Sequence, residues 1–260
     1  MDLQLKERVI IVTGGAKGIG AAIALACGEE GAVPVIVDRS ADAADQVQSQ
    51  LHRRGAISHF IQAELADPAN CKKAVDETIR TFGRIDGLVN NAGRNDGVGL
   101  ERGDPERFME SIKDNLLHYY AIAHYALPYL KRTRGPIVNI GSKVATTGQG
   151  NTSGYAASKG GVLGLTREWA VELLPYSIRV NCVIPAEVLT PLYESWLKTF
   201  ANPEEKLQRI LARIPLEKRM TKAAEIAATT IFLLSAQSGH TTGQEIYVDG
   251  GYVHLDRALT

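Results

Sequence analysis

Thr13-Gly14-Gly15-Ala16-Lys17-Gly18-Ile19-Gly20 is the stretch that fixes the fold class. It follows residues 8–13, a β-branched run with the character of a strand, and leads into residues 19–30, whose apolar spacing predicts a helix. A glycine-rich turn between strand and helix lets the backbone approach a diphosphate closely. The free N–H groups and positive dipole end of the helix favour its charge. Glycine alone is weak evidence, because ordinary turns use it for positive φ with no ligand. Context gives the loop its meaning: Asp38 closes the next strand about 18 residues beyond Gly20, where a dinucleotide-binding βαβ unit places an acid on a ribose. Gly14, Lys17, Gly18, Ile19 and Gly20 are candidate diphosphate contacts, and Asp38 is a candidate ribose contact.

The same alternation continues along the chain. Residues 8–13, 33–38, 57–63, 85–90, 136–141, 178–184 and 245–248 read as strands, most of them bounded by Gly, Pro, Asp or Asn. Residues 19–30, 41–54, 68–82, 105–130, 155–174 and 223–235 read as helices. Such alternation requires right-handed crossovers and a parallel sheet covered on both faces. The expected architecture is α/β, a Rossmann-type doubly wound parallel sheet of about seven strands with helices on both faces. Residues 1–260 form one domain without repeats or low-complexity tracts. Residues 191–213 break the rhythm: they carry Leu192, Tyr193, Trp196, Leu197 and Phe200 among charges and read as a two-helix substrate lid.

At 260 residues and 45% hydrophobic content, the chain can bury a full core. Its 29 basic and 29 acidic residues leave no net field, which argues against nucleic acid or an anionic membrane surface as a partner. Cys27, Cys71 and Cys182 are scattered, with neither metal-ligand nor disulfide spacing. Reduced thiols, no signal-type segment and no membrane-spanning apolar run predict a soluble cytoplasmic protein without a metal.

Asp38 also bears on which dinucleotide binds. Its carboxylate can accept from both ribose hydroxyls of NAD, whereas the 2'-phosphate of NADP would meet like charge. Lys17 and Arg39 oppose this, since either can pair with a phosphate. NAD is favoured over NADP, because a carboxylate facing a phosphate in a partly buried site is costly while an exposed ion pair contributes little. Glu64 and Leu65 end the third strand, either flanking an adenine ring or forming a plain strand end. Asn91, Ala92 and Gly93 lie at the carboxyl edge of the sheet, where open α/β folds bind ligands; their amides can also tie strand ends together.

Residues 142–159 carry the candidate chemistry. Ser142 stands just past the fifth strand, and Tyr155 and Lys159, four residues apart on a helix, point the same way. Each also has an ordinary reading: Tyr155 as core, Lys159 as a solvated face, Ser142 as a helix N-cap, and Asn115 as a polar residue kinking its helix.

Together, the Thr-Gly-x3-Gly-x-Gly run at 13–20, Asn-Asn-Ala-Gly at 90–93, Asn115, Ser142, Tyr155-x3-Lys159 and the turn at 185–190 resemble the classical short-chain dehydrogenase/reductase family. The resemblance spans essentially the whole chain. It implies hydride transfer between an alcohol carbon and a nicotinamide, with Tyr155 as the base. A free phenol, with a pKa of about 10, is a poor base at neutral pH; Lys159 would lower it and hold the nicotinamide ribose. By the same resemblance, Ser142 would donate to the substrate oxygen and Asn115 would hold a water linking Lys159 to solvent. Pro185, Val188 and Thr190 would lie beside the nicotinamide. Family members commonly carry Pro-Gly after the sixth strand, and Pro185-Ala186 departs from it. The resemblance further implies a homotetramer.

A narrower set, residues 91–97, 148–155, 185–193 and 248–259, looks like the L-fucose dehydrogenases of that family, which oxidise the anomeric hydroxyl of an aldopyranose to a lactone. Asp96, Gln149 and Glu187 fall on loops at the carboxyl edge, and a polyol needs several hydrogen-bonding groups. Trp196 can offer a flat face to a sugar ring. Substrate candidates are thus Asp96, Ser142, Gln149, Tyr155, Glu187 and Trp196, with Gln149 expected to separate a sugar from other alcohols. The expected reaction moves hydride from C1 of L-fucose or a like-configured aldose to NAD. A hydroxysteroid or other secondary alcohol dehydrogenase is one rival, kept open by the apolar lid. A non-catalytic dinucleotide-sensing protein is another, opposed by the complete Asn115, Ser142, Tyr155 and Lys159 set. The tail, residues 252–260 with His254, Asp256 and Arg257, either closes a neighbouring subunit's pocket or frays.

Overall fold

A computed structural model describes residues 2–255 of the chain. The first half runs β1 (Val9–Thr13), α1 (Gly18–Glu29), β2 (Val33–Asp38), α2 (Ala41–Arg53), β3 (His59–Gln62), α3 (Pro68–Phe82), β4 (Gly87–Asn90) and α4 (Pro105–Ile112). The second half runs α5 (His118–Thr133), β5 (Ile137–Ile140), α6 (Ser153–Glu172), β6 (Val180–Pro185), α7 (Pro191–Leu197), α8 (Pro203–Leu211), α9 (Ala223–Leu234) and β7 (Glu245–Val248). Among the described residues the strands form one parallel sheet of order β3-β2-β1-β4-β5-β6-β7. The order reverses between β1 and β4, which opens a crevice at their carboxyl ends.

β1 is buried along its whole length because both faces are covered. Val9 and Ile11 pack into an apolar cluster with residues of α3, α5 and α6, while Ile10 and Val12 pack into another with residues of α1 and α9. A polar ladder crosses this interior. The Asn90 side-chain amide donates to Asn139 Oδ1 at 3.0 Å, and the Asn139 amide donates to Thr166 Oγ1 at 3.0 Å. β4, β5 and α6 are thereby held in one register, and α6 carries Tyr155 and Lys159.

The helix expected over residues 105–130 is not continuous. Five residues, Lys113–Leu117, form a π turn between α4 and α5. At its centre the buried Asn115 side chain donates back to Ser111 O at 3.0 Å, competing with the backbone ladder. One turn on, His118 is buried, its Nε2 donating to Asp114 O at 3.1 Å and its Nδ1 without a partner among the described residues. Burial and then the Lys159 charge bring its pKa down to about 4. Residues 191–213 form the two short helices α7 and α8, as expected. Of the tail, His254 turns back onto the Tyr247 ring with centroids 4.3 Å apart; Asp256 and Arg257 lie outside the described residues.

Asn139→Ala breaks the ladder at its middle and strands two buried partners. It is expected to cost about 1–3 kcal/mol, read as a lower urea midpoint at unchanged m value. His118 gives a pH signature. Its folded pKa of about 4 lies below the ordinary value of 6.5, so the unfolded chain binds the extra proton between them. Its contribution is fully present above pH ~6.5 and lost as pH falls toward ~4, about 2 kcal/mol by pH ~5. His118→Leu is expected to flatten that limb relative to wild type in urea unfolding; a parallel limb in the variant contradicts this assignment.

Candidate active site

The crevice is built by two side chains at the strand ends. Thr13 Oγ1 donates to Val89 O at 3.3 Å and accepts from the Asn91 and Ala92 amides at 2.9 and 3.2 Å. The Asn91 side-chain amide donates to Thr13 O at 2.9 Å and Gly14 O at 3.1 Å. Gly14 turns the chain away from β1 at φ 62°, a left-handed conformation that suits glycine. α1 then begins at Gly18 with no side chain capping its first N–H groups. Among the described residues no side chain takes these donors, and Gly18 and Ile19 line the crevice, as an anion-binding helix start requires. Gly20 does not line the cleft. A Cβ there would fall 2.1 Å from Gly14 O, so its role is to let the helix pack on the turn.

A cleft of about 590 Å³ runs along this edge, within the range of roughly 300–1,000 Å³ usual for ligand sites. Asp38, Arg39, Glu64 and Leu65 line it below the ends of β2 and β3; Gly14, Lys17, Gly18, Ile19, Asn91, Ala92 and Gly93 line its centre. Ser142, Tyr155, Lys159, Pro185, Val188 and Thr190 line it beyond β5 and β6. Both Asp38 oxygens are held by backbone, Oδ2 accepting from Ala16 N at 3.1 Å and Oδ1 from Ser40 N at 3.0 Å. Arg39 pairs with Glu64 at 3.3 Å across exposed surface. Ala186, where the family commonly has glycine, does not adopt positive φ, so the local path does not depend on glycine.

Tyr155 and Lys159 share one face of α6, and the Ser142 hydroxyl is near enough to the Tyr155 phenol to draw its pKa down. Ser142 also caps the short 3-10 turn Lys143–Ala145. Lys159 is buried, donating to Tyr119 Oη at 2.9 Å and to Ile140 O at 2.8 Å, with its charge 5.7 Å from the Tyr155 ring centroid. Tyr119 in turn donates to Ile140 O at 2.9 Å, and burial keeps its phenol protonated. The expectation that Lys159 lowers the Tyr155 pKa meets a different balance. Burial pushes the phenol up, the Ser142 hydroxyl draws it down, and the Asp96 carboxylate pushes it up again. Lys159 is itself brought down to about 8 by burial.

The remaining candidates lie off the cleft lining. Asn115 Oδ1 accepts from Arg94 N at 2.7 Å, so its side chain is spent on backbone. Asp96 is half-buried and near enough to act electrostatically on Tyr155. Gln149 sits on an exposed loop outside the cleft lining. Trp196 packs edge-on against Tyr193 and Phe200, with centroids 5.1 and 4.8 Å away, and is not in the cleft lining. Glu187 is buried behind the lining, in an ion pair with Lys143. Sequence reasoning missed Arg94, Asp114 and His118 in the lining. The signal was helical spacing, since Asp114 and His118 stand four apart on either side of Asn115.

Comparison with known proteins agrees with this geometry. The enoyl-(acyl carrier protein) reductase family model matches residues 14–253. An L-fucose dehydrogenase of Oryctolagus cuniculus is 36% identical over 245 residues, 94% of this chain and 84% of that protein. A 3-oxoacyl-[acyl-carrier-protein] reductase FabG of Thermotoga maritima is 36% identical over 253 residues, 96% of this chain and all of the relative. The crystal structure of Cj0485 dehydrogenase superposes with TM-score 0.95 at 45% identity, covering 100% of this chain and 99% of that one. With the doubly wound sheet, the glycine turn and the Ser142, Tyr155 and Lys159 cluster on one cleft, the chain belongs to the short-chain dehydrogenase/reductase family of oxidoreductases.

Proposed function

We propose that the chain oxidises the anomeric C1 hydroxyl of an aldopyranose, L-fucose or an aldose of like configuration, to a lactone with NAD as hydride acceptor. The observation that carries this is the polar support of the substrate end of the cleft. Tyr193 lines it with its hydroxyl held by the buried Glu187, itself paired with Lys143, and Asp96 acts electrostatically on Tyr155, where a steroid site would be mainly apolar. The likeness to an L-fucose dehydrogenase supports the same class of substrate. The equal likeness to a 3-oxoacyl reductase makes acyl thioesters the competing class. NAD is favoured because Asp38 is fixed as an acceptor by two backbone amides, while Arg39 is engaged by Glu64. The working unit is a cytoplasmic homotetramer, on family resemblance.

The residues fit a nicotinamide dinucleotide. The uncapped start of α1 and the Gly14 turn suit the diphosphate, and Asp38 suits the ribose next to adenine. When bound, that group supplies the hydride acceptor and, oxidised, a positive ring near the phenol. Ser142 holds the substrate oxygen through its hydroxyl, and Tyr155 as phenolate takes the C1 hydroxyl proton. Lys159, fixed between Tyr119 and Ile140 O, keeps positive charge within reach of the phenolate and is placed to hold ribose hydroxyls. Asn115 acts at one remove by fixing the Gly93–Arg94 backbone.

The test is formation of reduced nicotinamide with L-fucose, D-arabinose, L-galactose, polyols and hydroxysteroids, using NAD and NADP in parallel, and its consumption with a 3-oxoacyl thioester. The expected outcome is turnover of L-fucose or a like-configured aldose with NAD preferred. Tyr155→Phe should lower kcat by about 10²–10⁴-fold at an unchanged thermal midpoint. Turnover of steroids or acyl thioesters but of no aldose contradicts the proposal, as does a Tyr155→Phe variant with full activity.

A further inference from the structure

Three loops at the carboxyl edge converge on one buried charge pair. Lys143 follows Ser142 after β5, and its Nζ pairs with Glu187 Oε1 from the segment after β6; each side chain is 11% exposed. Tyr193, on the first lid helix, donates its hydroxyl to the other Glu187 oxygen at 2.6 Å. Tyr252, past β7, places its ring centroid 4.2 Å from Lys143 Nζ. We propose that Glu187 and Lys143 are positioning residues which hold Tyr193, and with it α7, across the substrate end of the cleft.

Both charges stand on fixed backbone. Glu187 O accepts from Thr221 N at 2.9 Å, and Lys143 O accepts from the Thr146 and Thr147 amides at 3.0 and 2.9 Å. The lid helix is anchored far less. Leu192 is 60% exposed and Trp196 41%, and the hydrogen bonds of Ser195 to Pro191 O and of Tyr193 N to Thr190 Oγ1 stay within α7 and its cap. Among the described side chains of α7, the Tyr193 hydroxyl makes the one hydrogen bond that leaves the helix for the body of the protein. A phenol donating to a carboxylate makes a short, charge-assisted bond. With one oxygen on Lys143 and the other on Tyr193, Glu187 reaches the substrate through Tyr193, which lines the cleft. A charged pair kept from water is retained where it fixes an arrangement, since an apolar pair of equal volume is commonly as stable.

The kinetic arm of the test rests on the aldose reading; the optical arm does not. Of the two tryptophans, Trp169 is buried and Trp196 is beside Tyr193, so acrylamide quenching of fluorescence reads the lid. Tyr193→Phe keeps the ring and removes the bond; Glu187→Gln removes the charge. Each is expected to increase quenching and to raise the KM for L-fucose about tenfold, with a smaller change in kcat. The double variant should be close to the worse single variant, because both changes weaken the same Tyr193–Glu187 interaction. Unchanged quenching in both single variants overturns the proposal. So do effects that multiply in the double variant, or a KM rise in Glu187→Gln without one in Tyr193→Phe, which would make Glu187 a direct ligand. If no aldose is turned over, the sugar reading fails, and quenching in the two single variants and the double variant decides the latch.

Discussion

The hydrogen bonds that join Thr13 to Asn91 are the interaction on which the carboxyl edge depends. β1 and β4 are neighbours in the sheet, yet the chain leaves them in opposite directions, toward α1 on one side and toward residues 91–104 on the other. Without side-chain bonds across the gap, the two loops would have no common register. Thr13 Oγ1 and the Asn91 amide supply one, satisfying backbone groups that the ladder leaves over at the switch point. The helix start and its free donors, the Asp38 carboxylate and the small residues at 92 and 93 then face one cleft.

A second ladder performs the same service for the reacting groups. Asn90, Asn139 and Thr166 fix α6 against β4 and β5, and α6 presents Tyr155 and Lys159 to the cleft. Burial sets their electrostatics in opposite senses, raising the phenol and lowering the ammonium. Both shifts favour neutral groups, so the chain's own residues hold a protonated phenol, and phenolate demands added positive charge. Tyr119 limits how far Lys159 can stray, because it accepts from the ammonium while donating to Ile140 O. The outer side of the cleft is closed by the Lys143–Glu187 pair acting through Tyr193.

Much of this was legible in the sequence where the determining forces are local. Strand–helix alternation, the glycine turn and the acid at 38 depend on neighbours a few residues away, and the sheet appears as those patterns require. Apolar periodicity runs on through the break at Lys113–Leu117, and its one sequence signal was Asn115 read as a helix-kinking polar residue; its side chain does compete for the Ser111 carbonyl. That Gln149 and Trp196 stand outside the cleft lining was not legible, because loop direction and aromatic partners are settled in three dimensions. Trp196 finds Tyr193 and Phe200 before any ligand. Lys143 and Glu187 lie 44 positions apart, a separation no local pattern can bridge.

The proposed reaction moves hydride from the anomeric carbon of an aldose to a nicotinamide while Tyr155 takes the hydroxyl proton. Label transfer measures it most directly: L-fucose carrying deuterium at C1 is oxidised in ordinary water and the reduced cofactor is analysed by mass and NMR. The expected result is reduced nicotinamide carrying one deuterium at C4 on a single face, with slower turnover than unlabelled sugar if hydride transfer limits the rate. Reduced nicotinamide formed without the label would contradict it.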